Sequence, residues 1–123
     1  MYSQIYLDHF QNPRNIGEFE DADGIGEAKH EGGGCFDRVK VYIRTDGDRI
    51  SMVKYKTRGC SGTIAACSLM SELATGLALS EMDSLNEQKL IDELHLPERK
   101  FHSAELAVKA LRNAVEKVKY NKF

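Results

Sequence analysis

Val39-Lys40-Val41-Tyr42-Ile43-Arg44-Thr45-Asp46-Gly47-Asp48-Arg49-Ile50-Ser51-Met52-Val53-Lys54-Tyr55 is the stretch that decides the fold. Val39, Val41 and Ile43 alternate with Lys40, Tyr42 and Arg44. That period of two belongs to a strand with one face buried. Asp46-Gly47-Asp48 is a hairpin signal. Beyond it, Ile50 and Met52 are expected to share one strand face with Lys54, and Val53 and Tyr55 the other. Upstream, residues 14–31 are acidic and contain Gly17, Gly24 and Gly26. They read as a loop leading into a short strand near residues 25–30. The glycine run Gly32-Gly33-Gly34 then precedes Cys35 and marks unusual dihedrals or a close approach.

Helical patterns flank this sheet. Ile5, Tyr6, His9 and Phe10 recur at helical spacing, and Asn12-Pro13 ends that run because proline disfavours a helical residue before it. Residues 61–73 read as a helix with Ile64, Cys67, Leu69, Met70 and Leu73 mostly on one side, closed by Gly76. Ser80 and Asn86 read as N-caps of two short helical pieces, the second with Leu90, Ile91 and Leu94 as its apolar side. Leu96-Pro97 interrupts. The last helix, residues 103–120, carries Leu106, Ala107, Ala110, Leu111, Ala114, Val115 and Val118, and Lys117, Lys119 and Lys122 complement its dipole. The order predicts an α+β fold, a small antiparallel β-sheet with helices packed on one face, in a single domain over residues 1–123.

Composition narrows the function. A chain of 123 residues, 41% hydrophobic and 29% charged, can bury a core without staples. A net charge of -2 offers no basic excess for nucleic acid. No apolar run has the ~20 residues of a membrane span. Residues 1–10 lack the basic start and apolar run of a signal peptide, so a cytoplasmic location is expected. The three cysteines, Cys35, Cys60 and Cys67, are an odd set without an export signal, which argues against a disulfide framework.

Two of these cysteines sit where chemistry is available. In an extended segment Cys35 and Asp37 point the same way. Cys60 lies between Gly59 and a helix start, where the thiolate is favoured. His102 stands at the start of the last helix. Two soft ligands, an imidazole and a carboxylate could make a tetrahedral metal set. Each residue also has a plainer reading: a core cysteine, a surface or capping histidine, an aspartate solvating a strand end. No C-x-x-C pair is present. A cysteine–histidine hydrolytic pair is a further alternative, but no third group stands out to orient the base. Cys67 lies on the apolar side of its helix and reads as core.

These residues fall in a familiar order. Asp8-His9-Phe10-Gln11-Asn12-Pro13-Arg14-Asn15-Ile16-Gly17 resembles the opening motif of the IscU and NifU N-terminal-type iron–sulfur cluster assembly scaffolds. Gly34-Cys35-Phe36-Asp37 resembles their G-C-G-D-type segment. Lys56-Thr57-Arg58-Gly59-Cys60 through Ile64-Ala65-Ala66 resembles K-T-x-G-C-x-x-x-I-A. Leu96-Pro97 through Lys100-Phe101-His102 resembles L-P-x-x-K-x-H. The resemblance spans essentially the whole chain. It implies a non-enzymatic scaffold on which a transient [2Fe–2S] cluster is built from iron and from sulfur delivered by a cysteine desulfurase, then handed to apo iron–sulfur recipient proteins. Zinc can occupy the same site. Cys35, Asp37, Cys60 and His102 fall on the family's cluster and metal positions.

Two departures stand out. The family usually has a third cysteine after the histidine, where this chain has Ser103. Serine is a hard, poorly ionised donor that carries no persulfide, yet a preferred N-cap, and that is its structural reading here. The stretch Leu96-Pro97-Glu98-Arg99-Lys100 also differs from the family's L-P-P-V-K, which bears on recognition by an Hsp70-type chaperone. Ser103 keeps an alternative open: a zinc- or iron-binding or sulfur-relay protein that regulates a desulfurase without building clusters.

Overall fold

The computed structural model describes residues 2–32 and 35–121, without the side chains of residues 31, 35, 36 and 119–121. Gly33, Gly34 and Lys122, and the side chain of Lys119, therefore lie outside the described residues. The chain runs α1 (Gln4–Gln11), β1 (Gly24–Gly32), β2 (Cys35–Asp46), β3 (Arg49–Arg58), α2 (Ser61–Ala74), a 3-10 turn (Leu79–Ser84), α3 (Glu87–Leu94), a second 3-10 turn (Glu98–Lys100) and α4 (Phe101–Asn121). The strands form one antiparallel sheet in the order β1-β2-β3. Val39, Val41 and Ile43 are buried, as their alternation predicts. α4 lies against β1 and β2, α2 against β3 and α4, and α1 and α3 flank α2 and α4. Each fully buried leucine or valine in this layer, such as Leu111 or Val118, contributes ~1.5–3 kcal/mol.

β1 is longer than its glycines suggest. Gly24 and Gly26 are regular strand residues, opposite Ile43 and Val41. A Cβ on either would run into the backbone carbonyls of Ala114 and Ala110. The glycines thus let the backbone of α4 approach the sheet. The small buried residues Ala107, Ala110 and Ala114 do the same from the helix side.

β3 departs from strict alternation. Arg44 pairs with Met52 and Thr45 with Ile50, so Ser51 is an extra residue. Such a bulge resets the side-chain period. Ile50 therefore joins Val53 and Tyr55 on the buried face, while Met52 is 44% exposed. The expected pairing of Ile50 with Met52 on one face is corrected on this point. Gly47, at φ 65°, takes the first turn position of the hairpin, where glycine is favoured. Asn86 caps α3 by accepting from the Lys89 N–H, whereas Ser80 lies inside the 3-10 turn rather than capping it.

The opening segment is fastened to α2. Ser3 caps α1 through the Tyr6 N–H. Nδ1 of buried His9 lies 2.7 Å from the Ser68 hydroxyl, which also accepts from the Arg14 N–H at 3.0 Å. Asn15, at φ 64°, donates its amide to the Ser71 hydroxyl at 3.0 Å. Next, the Gly17 N–H bonds the Tyr55 carbonyl at the free edge of β3. Most polar residues of the opening motif are thereby absorbed in holding α1 and the following loop onto the core.

Candidate metal centre

Three connections meet at one end of the sheet. β2 begins there and sets Asp37 on the helix-facing side, level with His30 of β1. β3 ends there at Arg58, and Gly59 leads into Cys60, the N-cap of α2. A Cβ on Gly59 would stand 2.9 Å from an Asp37 carboxylate oxygen, so glycine allows the chain to pass this close. α4 also begins there, with His102 and Ser103 in its first turn. α1 closes the flank through the Tyr6 hydroxyl, 2.5 Å from the Ser61 hydroxyl.

The Asp37 carboxylate is the hub. It is 3% exposed, and its Oδ2 accepts from the Thr63 hydroxyl at 2.8 Å. Nε2 of His102 lies 3.1 Å from the same oxygen, and the Cys60 thiol 3.9 Å from it. Asp37, Cys60 and His102 each offer one donor atom within 4.8 Å of the others. The Ser103 hydroxyl stands 3.1 Å from that of Thr63 and 3.7 Å from the Cys60 sulfur. One soft, one borderline and one hard donor thus converge, a set that suits zinc or iron.

Placement separates the two described thiols. Burial alone would push the Cys60 thiol up, but hydrogen bonding from the Thr63 backbone and hydroxyl, the Ser103 hydroxyl and the Gly62 backbone outweighs it and lowers the value to about 7. No single N–H closes a regular capping bond on the sulfur, so the effect is shared among these groups. A fraction of Cys60 is then thiolate at neutral pH, the form that binds metal and attacks sulfur. Burial pushes the Cys67 thiol well above its ordinary range.

Of the four residues singled out from sequence, the structure brings Asp37, Cys60 and His102 together. Cys35 is the first residue of β2, two before Asp37, and its side chain lies outside the described residues. Cys67 is fully buried in the core. Ser103 is not the N-cap expected of it. α4 starts at Phe101, and Ser103 is a fully buried helical residue facing Cys60 and Thr63. The helix gains its extra residues because the Glu98–Lys100 turn runs directly into it. Thr63 and His30 were not anticipated. Thr63 follows Cys60 by three, the spacing that returns a helix to the same face, and that signal was readable.

A three-stranded antiparallel sheet, helices on one face, and a thiol, an imidazole and a carboxylate gathered at one end define a small α+β domain with a candidate metal-binding group. The chain belongs to the family of the NifU-like N terminal domain, whose model matches residues 1–123. It is 40% identical over 116 residues to an iron-sulfur cluster assembly scaffold protein, IscU 1, of Archaeoglobus fulgidus, covering 94% of this chain and 74% of that one. It is 34% identical over 116 residues to the scaffold protein IscU of Escherichia coli, covering 93% and 91% of the two chains. Among solved structures, a candidate scaffold protein for the SUF system of Fervidobacterium islandicum superposes with a TM-score of 0.77 at 24% identity, over 93% of this chain and 96% of that one. The N-terminal part of a NifU-like protein of Brucella abortus gives 0.74 at 15% identity, over 96% and 94%. At such identities these two structures speak for the fold alone.

Proposed function

We propose that this protein is a scaffold on which an iron–sulfur cluster is assembled and from which it is passed to recipient proteins. The observation that carries this reading is the convergence of Cys60, Asp37 and His102 within 4.8 Å. It is supported by family membership and by the scaffold role named for its IscU relatives. The donor chemistry fits the cargo: thiolates, joined in some centres by imidazole, are the ligands iron–sulfur clusters take. Cys60, Asp37 and His102 would hold it, with Cys35 supplying a second thiolate from the start of β2. A carboxylate is a hard partner for such a cluster, which suits cargo that must leave.

Sulfur comes, on this reading, from a cysteine desulfurase. The Cys60 thiolate attacks the outer sulfur of the desulfurase persulfide. The new sulfur–sulfur bond forms on Cys60, and the desulfurase cysteine leaves as a thiolate. Hydrogen bonds from Thr63 and Ser103 keep Cys60 reactive near neutral pH. Ser103 carries no sulfur itself, so its role is to support Cys60. The protein holds and releases cargo rather than turning over a substrate.

Anaerobic reconstitution with iron, cysteine and a desulfurase is the test. The wild-type protein should develop the visible absorption of a [2Fe–2S] cluster, and Cys60→Ala should not. Zinc binding by the wild type without any cluster would favour a metal-holding regulator instead, the reading that Ser103 keeps open.

A further inference from the structure

The inner face of β1 reads Gly24, Gly26, Ala28 and then His30, small and apolar until it reaches the site. His30 pairs with Asp37 across β1 and β2. Residues directly opposite in an antiparallel pair project to the same face, so its imidazole leaves the sheet on the side of the Asp37 carboxylate. The ring lies on that of His102, with centroids 4.9 Å apart and planes 25° from parallel. Among the described residues, no hydrogen bond or ion pair ties its nitrogens.

We infer that His30 is a further metal donor of this centre, completing a four-donor set with Cys60, Asp37 and His102. Its nitrogens stand outside the 4.8 Å group formed by the other three donor atoms, so binding requires a turn of the side chain. The ring is half-buried, near the end of β1. Two nitrogens held ~2.0–2.1 Å from one zinc sit up to about 4 Å apart. The rings stack with centres 4.9 Å apart, so His30 must rotate out of the stack to aim an in-plane nitrogen at the ion that His102 faces. One thiolate, one carboxylate and two imidazoles close a tetrahedral site for a single divalent ion such as zinc. Such a site does not require Cys35. It also supplies a nitrogen donor in a chain that has a serine, not a thiol, beside His102.

The inference rests on the reading that Cys60, Asp37 and His102 hold metal, and the experiment separates the two. Cobalt(II) is titrated into the full chain and followed by visible absorption, with zinc competition for affinity. The sulfur-to-cobalt band reports Cys60, and the intensity of the ligand-field bands reports four-coordination. Wild type should give a tetrahedral spectrum. His30→Phe keeps a ring against His102 but removes the donor. It should weaken binding by about tenfold or more and dim the ligand-field bands while the sulfur band persists. An unchanged spectrum and affinity in His30→Phe would overturn the inference and leave the three-residue site standing. No sulfur-to-cobalt band in the wild type would overturn the underlying site as well. Should His30→Phe fail to fold, His30→Ala with added imidazole decides: restored band intensity supports a donor at this position, and no restoration in a folded protein rejects it.

Discussion

Helix α2 carries two cysteines seven residues apart, and they behave as different functional groups. Cys60 is the N-cap, partly exposed, with hydroxyls and backbone N–H groups around its sulfur that lower it to about 7. Cys67 lies two turns further in, roughly 10.5 Å along the axis. It is fully buried among apolar side chains, and burial raises its thiol. The same contrast holds for two histidines. His9 is locked between Ser68 and Glu72 in a buried seam, whereas Nε2 of His102 faces the Asp37 carboxylate at the candidate site. One end of α2 spends its polar groups on holding the fold, and the other keeps them available. Position at a helix start, rather than residue type, decides which thiol is a reagent.

The largest effect should appear in reactivity. With Cys35→Ala as background, iodoacetamide at neutral pH should alkylate Cys60 readily and leave Cys67 protected until the protein unfolds, a rate difference of about a hundredfold or more. Peptide mass spectrometry reads both sites, and equal rates would erase the contrast. Next, Cys60→Ala should abolish tight zinc binding. Cys67→Ala should leave zinc affinity near wild type and cost about 1–2 kcal/mol in a denaturant melt. Loss of zinc in Cys67→Ala would place the site wrongly.

A smaller shift is expected from Ser103→Ala. Its hydroxyl lies 3.7 Å from the Cys60 sulfur and helps hold the thiolate, so the Cys60 value should rise above about 7, by roughly one unit. Thiolate ultraviolet absorbance against pH measures it. The smallest effect concerns His9. Burial first, then the charge of Arg14, lowers its value from 6.5, so the folded protein favours the neutral ring. The unfolded chain takes up the proton more readily, so this stability is complete above pH 6.5 and is lost as pH falls toward the lowered folded value. His9→Gln should flatten that acid arm of the melting temperature, and an unchanged arm would assign it to other groups.

Much of this was legible in the sequence. Alternation fixed the inner face of β2, and the apolar spacing of α4 marked its buried side. The β3 bulge was not legible, because one extra residue leaves no compositional trace. Gly24 fell in the expected loop and Gly26 in the expected short strand, and neither showed that what they accommodate is the backbone of a helix nearly ninety residues later. At the site, Asp37, Cys60 and His102 could be named from loop and helix-start positions. Ser103 looked like a cap because serine caps helices, and only the earlier start of α4 turned it inward. His30 sits on a strand with no periodic or motif signal, and only the pairing of β1 with β2 brings it to Asp37.

Transfer of the cargo is the most direct test of the scaffold role. The wild-type protein is loaded anaerobically with iron and sulfide and mixed with an apo-ferredoxin. The visible circular dichroism of the bound cluster should decay as the holo-ferredoxin signal grows, and Asp37→Ala should slow the exchange. A cluster that never forms on the wild-type chain, or one that forms and stays there, would contradict the scaffold role.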